Sequence, residues 1–329
     1  MTTSAPILLL THSGDYYTID LVEQALVSRG VPALRVDTDR FPVELALSVS
    51  FRSGREEMVL RTPRGAVALR EVPAVWNRRV WPGAMPETMD PRYVQHCRRE
   101  SRTALVDALS LMDGAFWVNT LQANTRAESK LLQLRVAQEL GFTLPPTLVT
   151  NNPDEVRAFH AELGGRMVTK LLGVLTVSMQ GTSEFFYTTE VTEADLAAID
   201  DVRYAPQIFQ ATVGKRCELR VVVVGSEVFT GAIDTRGSRR GRVDWRLTQP
   251  GEGIDWTPYT LPDDETERVL ALMRRLGLVS AALDFIVDPE GRHVFLEVNP
   301  AGEWGWLQRD LGFPIAERIA DALVEGSRR

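Results

Sequence analysis

The spacing of apolar residues in the N-terminal part of the chain predicts a strand, a helix and a second strand. Residues 7–10 form an apolar run typical of a buried strand, residues 18–28 repeat apolar positions at helical spacing, and residues 33–36 predict the next strand. This order is typical of a doubly wound, Rossmann-like unit. The segment lacks a GxGxxG pattern, so it does not indicate a dinucleotide site.

Downstream, the period of the pattern alternates between that of strands and that of helices. Strands are predicted at residues 45–51, 58–61, 66–70, 74–79, 147–149, 166–170, 184–188, 205–213, 218–224 and 228–234, and helices at 93–112, 127–140, 153–163, 263–276 and 314–324. A polar stretch at 119–125 predicts a linker, and residues 171–183 predict a mobile loop. With 329 residues, a mixed α/β chain of this kind is expected to have two or three subdomains.

Residues 283–300 predict a β-hairpin whose polar residues converge. Asp284 lies at the start of one strand, and Glu297 and Asn299 lie two residues apart near the end of the other, so the latter two share a face. A single carboxylate at a strand end is more often a solvated residue or a turn former. Two carboxylates and an amide on an apolar hairpin instead favour a Mg²⁺ site, because burying two like charges without a cation is costly.

Composition and charge narrow the class of partner. The chain is 44% hydrophobic and 25% charged, as in soluble globular proteins, and its formal net charge of −7 argues against nucleic acid or an acidic membrane as a general partner. No apolar run could cross a bilayer, and no basic residue precedes the first run, so no signal peptide is expected. Cys97 and Cys217 lack metal-type spacing, which predicts two buried thiols and a cytoplasmic location.

Basic residues near predicted strand ends are candidates for phosphate binding. Lys170 ends an apolar strand just before the predicted loop, where an ammonium could meet phosphate oxygens, although a lone lysine is more often a surface residue. Glu218 and Arg220 share one strand face, and a structural ion pair is an equally good interpretation. The histidines are dispersed, and no Ser-His-Asp or Cys-His spacing indicates nucleophilic catalysis.

Arginines concentrate between residues 235 and 246 of this acidic chain. They are Arg236, Arg239, Arg240, Arg242 and Arg246. A run of this kind is usually a solvated loop, but it directly follows a strand of the predicted site, which makes an anion-binding role plausible.

The order of these residues resembles the ATP-grasp superfamily of carboxylate–amine ligases. Segments at 11–15 (THSGD), 36–42 (VDTDRFP), 75–79 (VWNRR), 129–134 (SKLLQL) and 297–304 (EVNPAGEW) are similar to those of the microviridin-type peptide macrocyclases, or graspetide synthetases. The resemblance implies an α/β (α+β) ATP-grasp fold. It also implies an N-terminal, Rossmann-like pre-ATP-grasp domain at 1–120, a central subdomain at 121–206 and a C-terminal subdomain with the metal site at 207–329.

The resemblance implies ATP and Mg²⁺ as cofactors and assigns site residues. ATP would contact Lys130 and Lys170, its adenine would bind at Gln210, Ala211 and Val213, its ribose would meet Glu218, Arg220 and Arg246 would be catalytic, and Asp284, Glu297 and Asn299 would hold Mg²⁺. The chain departs from the family pattern at Ala211, where relatives often have an acid, and in a loop with fewer glycines after Lys170.

The activity that the resemblance implies is ring closure within a peptide. Asp or Glu side chains of a ribosomal precursor peptide, with a leader and an acidic core, would be activated as acyl phosphates and condensed with Thr or Ser hydroxyls or Lys amines. The arginine patch, with Arg236, Arg239 and Arg240 as substrate-binding residues, suits an acidic core peptide. Relatives are often dimers, so a homodimer is compatible with the resemblance.

Two other functions remain open on the sequence. The first is an ATP-grasp ligase that acts on free amino acids or on a protein terminus, as relatives of glutathione synthetase do. The second is a nucleotide- or peptide-binding module without turnover. The combination of Asp284, Glu297, Asn299 and Arg220 argues against the second, because a protein that only binds has no need of a complete phosphoryl-transfer site.

Overall fold

The described part of the chain folds into four β-sheets and the helices that cover them. The computed structural model describes residues 5–173, 188–237 and 255–328. The strands of these residues are β1 (Ile7–Thr11), β2 (Ala33–Asp37), β3 (Ala46–Arg52), β4 (Arg55–Thr62), β5 (Gly65–Ala68), β6 (Ala74–Asn77), β7 (Phe116–Val118), β8 (Thr147–Thr150), β9 (Met167–Lys170), β10 (Thr189–Glu190), β11 (Gln207–Ala211), β12 (Cys217–Val224), β13 (Glu227–Ile233), β14 (Trp256–Pro258), β15 (Ser280–Val287) and β16 (His293–Asn299). Their helices are α1 (Thr18–Ser28), α2 (Pro91–Ser110), α3 (Leu121–Ala127), α4 (Lys130–Glu139), α5 (Pro153–Glu162), α6 (Glu193–Ala197), α7 (Asp263–Leu276), α8 (Gly305–Leu311) and α9 (Ile315–Gly326).

The N-terminal segment contains a parallel sheet with the strand order β2-β1-β6-β7. The β1 run of residues 7–11 is buried throughout, as expected for a central parallel strand covered on both faces. A second, antiparallel sheet, β3-β4-β5, packs Met58 and Leu60 into the same core as Leu8 and Leu10 of β1. The predicted Rossmann-like unit is therefore present, with an antiparallel sheet inserted between β2 and β6.

The central sheet is antiparallel, in the order β10-β9-β11-β8. Helix α5 packs on it through Val156, and it begins as the sequence predicts: Pro153 is its first residue and the Asn152 side chain accepts a hydrogen bond from Asp154 N–H. Strand β11 pairs with β8 and β9. Because β11 comprises residues 207–211, it lies in the central sheet although the predicted subdomain boundary precedes it; the boundaries themselves stay predictions.

The C-terminal sheet, β14-β13-β12-β15-β16, is antiparallel and separates two cores. Along β12, Leu219, Val221 and Val223 pack toward α7 and α4, whereas Val222 and Val224 pack toward α9 and α1. This period of two is that of a strand buried on both faces. The second core joins the last helix of the chain to the first, so the N-terminal and C-terminal segments share one apolar interior.

Two predictions about the connection into the central segment are wrong. Residues 119–125 are not a linker, because α3 begins at Leu121 and the Thr120 side chain caps it by accepting a hydrogen bond from Ala123 N–H. Residues 127–140 are not one helix either, because Ser129 caps a new helix that begins at Lys130. Side-chain oxygens thus start one helix inside a polar stretch, at Thr120, and divide the predicted helix of residues 127–140, at Ser129.

Other predictions need smaller corrections. Cys97 and Cys217 are free thiols, as expected, but both are only partly buried. The short elements β7, α6, β14 and α8 were not predicted. The predicted loop at 171–183 and strand at 184–188 fall almost wholly outside the described residues, whose next strand is β10. Among the helices of the described residues, none has the length and apolarity required to span a bilayer.

Candidate active site

Three charged side chains stand in a row across the C-terminal sheet. Arg220 on β12 pairs with Asp284 on β15, and Asp284 pairs in turn with Glu297 on β16. Directly opposed residues of neighbouring antiparallel strands project from the same face of the sheet. The sheet therefore presents an arginine and two carboxylates side by side, on the face opposite the α7 core.

A register shift in the β15–β16 hairpin makes this row possible. Phe285 pairs with Phe295, but Asp284 pairs with Glu297, so Leu296 is passed over. Phe295 and Val298 both face the α7 core, which strict alternation would not allow for residues three apart. The extra residue behaves as a β-bulge and turns Glu297 and Asn299 to the face of Asp284.

The carboxylates and the amide lie within hydrogen-bond distance of one another. Asn299 Nδ2 is 3.1 Å from Asp284 Oδ2 and 3.0 Å from Glu297 Oε1. Asp284, Glu297 and Asn299 thus form a set of two acids and one amide. The described residues contain no group of three or more His, Cys, Asp or Glu side chains that could hold a metal. Such an all-oxygen set fits a hard cation such as Mg²⁺, which keeps several waters or phosphate oxygens as its other ligands.

Two lysines converge on Glu297. Lys130, the first residue of α4, contacts the Glu297 carboxylate, and Lys170 Nζ at the end of β9 lies 3.9 Å from it. Burial raises the pKa of Glu297, but Lys130, Lys170 and the hydrogen bonds from Lys130 and Asn299 outweigh burial, so that the pKa lies well below its usual value. The structure thus brings together predicted residues from the central and C-terminal segments around one ionised acid.

Arg220 has two sets of partners. Its Nη1 lies 2.9 Å from both carboxylate oxygens of Asp284, and its Nε and Nη2 donate to the Glu303 carbonyl at 3.2 and 2.8 Å. The side chain is 7% exposed, so water screens the ion pair with Asp284 poorly. The planar guanidinium is held in one orientation on the site face.

The predicted adenine and ribose residues lie on and after β11 and on β12. Gln210 is buried and donates to Thr147 Oγ1 at 2.9 Å, and the backbone N–H of Ala211 donates to Pro146 O at 2.9 Å. Val213 follows β11 in the connection to β12. Glu218 and Arg220 do not pair with each other; Glu218 Oε1 lies 2.8 Å from Lys215 Nζ in a buried ion pair.

The structure reaches only the beginning of the predicted arginine patch. Arg236 is exposed and pairs with Asp234 at 2.7 Å, where its hydrogen bonds hold the pKa of Asp234 below the usual range. Arg239, Arg240 and Arg246 lie outside the described residues. Their predicted roles in substrate binding and catalysis stay predictions.

Sequence reasoning missed the residues that hold these elements together. Gln133 of α4 is buried, and its amide donates to Val298 O at 2.8 Å and accepts from Val298 N–H at 3.0 Å. Because β16 is the last strand of its sheet in the described residues, the outer N–H and C=O of Val298 lack a partner on a neighbouring strand there, and Gln133 satisfies both groups. The available signal was a glutamine three residues after Lys130, at a position that faces the core.

A second polar cluster, also missed, connects the N-terminal sheet to the active site. Arg78, which follows β6, is 2% exposed and contacts the Glu303 carboxylate and the Ala301 carbonyl. Arg79 Nη2 lies 3.2 Å from the same Glu303 carboxylate. Since Arg220 contacts the carbonyl of Glu303, this one residue touches three arginines. The available signal was that residues 75–79 and residues 297–304 each resemble the same family, which could have indicated that the two segments contact each other.

Comparison with known proteins identifies the class of this fold and site. The pattern of the MvdD pre-ATP grasp domain matches residues 6–125, and that of the RimK-like ATP-grasp domain matches residues 127–323. The chain therefore belongs to the RimK-like ATP-grasp family and carries an MvdD-type pre-ATP-grasp domain. It is an ATP-grasp ligase of the ADP-forming kind, as the sequence resemblance implied.

Individual relatives make the likeness more specific. The macrocyclase MdnB from Microcystis aeruginosa MRC is 40% identical, with 97% of this chain and 99% of that chain covered and a TM-score of 0.83. A Chryseobacterium gregarium RiPP-associated ATP-grasp ligase, solved with ADP and a leader and core peptide, is 31% identical, with 98% and 97% covered and a TM-score of 0.87. Glutathione synthetase of Neisseria meningitidis is 27% identical over 228 residues, 67% of each protein.

Proposed function

We propose that this chain is a peptide macrocyclase. It activates Asp or Glu side chains of a ribosomal precursor peptide as acyl phosphates and condenses them with Thr or Ser hydroxyls, or Lys amines, to form macrolactones or macrolactams. The observation that carries this proposal is the likeness over 97% of the chain to the macrocyclase MdnB, together with the MvdD-type pre-ATP-grasp domain. The curated relative glutathione synthetase matches a smaller share of the chain at lower identity.

The roles of the site residues follow from charge. Lys130 and Lys170 bind the phosphates of ATP, and the segment from Gln210 to Val213 binds the adenine while Glu218 meets the ribose. Asp284, Glu297 and Asn299 would hold Mg²⁺, which neutralises charge on the phosphates when it is bound. The geometry of the row Arg220–Asp284–Glu297 supports this assignment, because it aligns a cation beside two oxygen ligands.

The reaction has two steps, and the protein contributes mainly position and electrostatics. A carboxylate is a poor electrophile, so the γ-phosphoryl group of ATP is first transferred to a carboxylate oxygen of the peptide, which releases ADP. Arg220 and Arg246 stabilise the negative charge of the transferring group. A hydroxyl or amine of the same peptide then attacks the acyl carbon, loses its proton and expels phosphate. The peptide has lost one water in total.

The proposal also covers how the peptide binds and whether the protein forms a homodimer. The leader directs binding, and the acidic core is attracted by Arg236, Arg239 and Arg240. Arg239→Glu combined with Arg240→Glu should weaken peptide affinity and turnover, and unchanged values would contradict this part of the proposal. The cytoplasmic location and the homodimer stay predictions.

Intact mass spectrometry tests the function directly. The peptide encoded beside this chain's gene is incubated with the protein, ATP, Mg²⁺ and a mixture of free amino acids. Losses in steps of about 18 Da, each accompanied by ADP, are expected from condensation within the peptide. A gain equal to one amino acid residue would instead identify a ligase for free amino acids. An unchanged mass without ADP would identify a binding module.

A further inference from the structure

The N-terminal parallel sheet has a crevice that the proposed mechanism does not use. Its order, β2-β1-β6-β7, places β2 on one side of β1 and β6 on the other, so the chain reverses its winding between β1 and β6. In open sheets of this kind, ligands bind outside the carboxyl ends of the strands at such a reversal. His12 follows β1 there, and Arg78 and Arg79 follow β6.

The crevice adjoins the phosphoryl-transfer site through Glu303. The Glu303 carboxylate contacts Arg78 and lies 3.2 Å from Arg79 Nη2, and its carbonyl accepts from Arg220 Nη2 at 2.8 Å. Arg79 and Arg220 therefore both contact Glu303, Arg79 through the carboxylate and Arg220 through the carbonyl. Arg79 follows β6 of the N-terminal sheet and Arg220 lies on β12 of the C-terminal sheet, so the two arginines reach Glu303 from different sheets.

The polar groups of the crevice have unused hydrogen-bonding capacity. His12 is 6% exposed and stacks on Trp81 with ring centroids 3.6 Å apart, yet within the described residues its Nε2 has no hydrogen-bond partner. Arg78 Nε is also buried without one in that part of the chain. The Arg79 side chain is 23% exposed, and its recorded contacts with described residues, to Glu303 and to the Ala301 carbonyl, all use Nη2. Its Nε and Nη1 are available to a ligand.

Charge decides what kind of ligand fits. Arg79, Arg78, Asp15 and Asp39 all act electrostatically on His12, so these charges lie around the crevice. Buried Arg78 holds the Glu303 carboxylate, and this carboxylate only partly offsets the charge of Arg79. The acids of the crevice repel a doubly charged phosphate more strongly than a carboxylate, which carries one negative charge. A planar carboxylate also matches the fork of a guanidinium.

We propose that Arg79 is a substrate-binding residue that takes an acidic side chain of the core peptide and holds it beside Arg220. This inference rests on the proposed macrocyclase function and deepens it, because it identifies where the carboxylate enters. Arg78 is the supporting residue: it fixes Glu303, so that the outer edge of Arg79 stays free for the peptide.

The test compares two forms of one peptide. The probe is the synthetic precursor peptide encoded beside the gene, and its matched form has every core Glu and Asp changed to Gln and Asn. Both carry the same leader, so the ratio of their dissociation constants reports the core acids alone. The wild-type protein should prefer the acidic form by roughly 10- to 100-fold. Arg79→Gln should reduce this preference by roughly 5- to 10-fold while leaving ATP affinity unchanged, and the remaining preference reports the attraction by Arg236, Arg239 and Arg240.

Controls separate binding from structure and the inference from the function on which it rests. Arg64→Gln removes an exposed arginine that pairs with Glu23 at 3.2 Å and should retain the full preference. Arg79→Lys keeps the positive charge but lacks the planar guanidinium, so it should retain part of the preference for the acidic peptide. This variant takes the place of Arg79→Gln if Arg79→Gln does not fold. A preference equal to that of the wild-type protein in folded Arg79→Gln, or in Arg79→Lys where that variant replaces it, overturns the inference. Absence of water loss from the acidic peptide with wild-type protein overturns the proposed function itself.

Discussion

Lys170 Nζ lies 3.9 Å from the Glu297 carboxylate, which Lys130 also contacts. Lys170 ends a strand of the central sheet, Lys130 begins α4, and Glu297 lies on the edge strand of the C-terminal sheet. One acid thus joins three elements, and its low pKa keeps it ionised at neutral pH. An ionised acid flanked by ammonium groups is suited to a site where metal and phosphate charges must balance.

Removing either site carboxylate should abolish ATP consumption and leave the fold intact. Asp284→Asn and Glu297→Gln keep the shape of the side chain but remove the charge that favours a divalent cation, so we expect the rate of ADP release to fall by at least roughly 10²-fold. Circular dichroism and thermal unfolding check the fold. Glu57→Gln, at an exposed position of β4, is the matched control. Full activity of either site variant at low Mg²⁺ would remove the metal assignment.

The sequence predicted that Glu297 and Asn299 share a face, because strand periodicity is a local property. Glu297 and Asn299 are two residues apart, and their common face follows from that spacing alone. The predicted hairpin also brings Asp284 near them, but the exact register does not follow, because the passed-over Leu296 depends on how Phe295 and Val298 both reach the α7 core. Packing against distant helices fixed the bulge, and no local pattern reports it.

The connections between segments were harder to predict for the same reason. Thr120 and Ser129 are capping residues, but Thr120 lies in a polar stretch that the pattern assigns to a linker, and Ser129 lies inside the apolar period of residues 127–140, so the pattern did not indicate two helix starts. Glu303 was not selected at all, because its importance comes from Arg78, Arg79 and Arg220, which are far from it in sequence.

Arg220→Lys should lower turnover far more than ATP affinity. Lysine keeps the positive charge but cannot contact Asp284 with one nitrogen and the Glu303 carbonyl with two others, as the guanidinium does. We expect kcat to fall roughly 10²- to 10³-fold, because the cation no longer lies where the phosphoryl charge develops. Steady-state kinetics with ATP and peptide separate kcat from KM. Arg275→Lys, in an exposed pair with Glu139, should be silent, and an equally large loss there would point to a general effect.

Gln133→Met should destabilise the protein and weaken ATP binding together. The substitution leaves Val298 N–H and C=O at the sheet edge without their side-chain partner, which should cost roughly 2 to 4 kcal/mol in the free energy of unfolding. It also loosens α4, which carries Lys130. Urea denaturation and nucleotide titration measure the two effects. Gln138→Met, at an exposed position of the same helix, should change neither value, and a normal ATP affinity for Gln133→Met would refute the positioning role.

His12 should make the stability of the protein depend on pH below neutrality. Burial lowers the pKa of His12; Asp15 and Asp39 oppose this shift, and Arg79 and Arg78 add to it. As pH falls through the ordinary histidine pKa of about 6.5, the unfolded chain therefore binds a proton before the folded chain does, and stability is lost.

His12→Phe keeps the stack on Trp81 but cannot titrate. The difference in unfolding free energy between the wild-type protein and this variant, measured by urea denaturation at several pH values from 8 to 5, should move against the wild type as pH falls. A constant difference would show that His12 titrates alike in both states. A difference that moves in favour of the wild type at low pH would mean that Asp15 and Asp39 outweigh burial and hold the imidazole protonated.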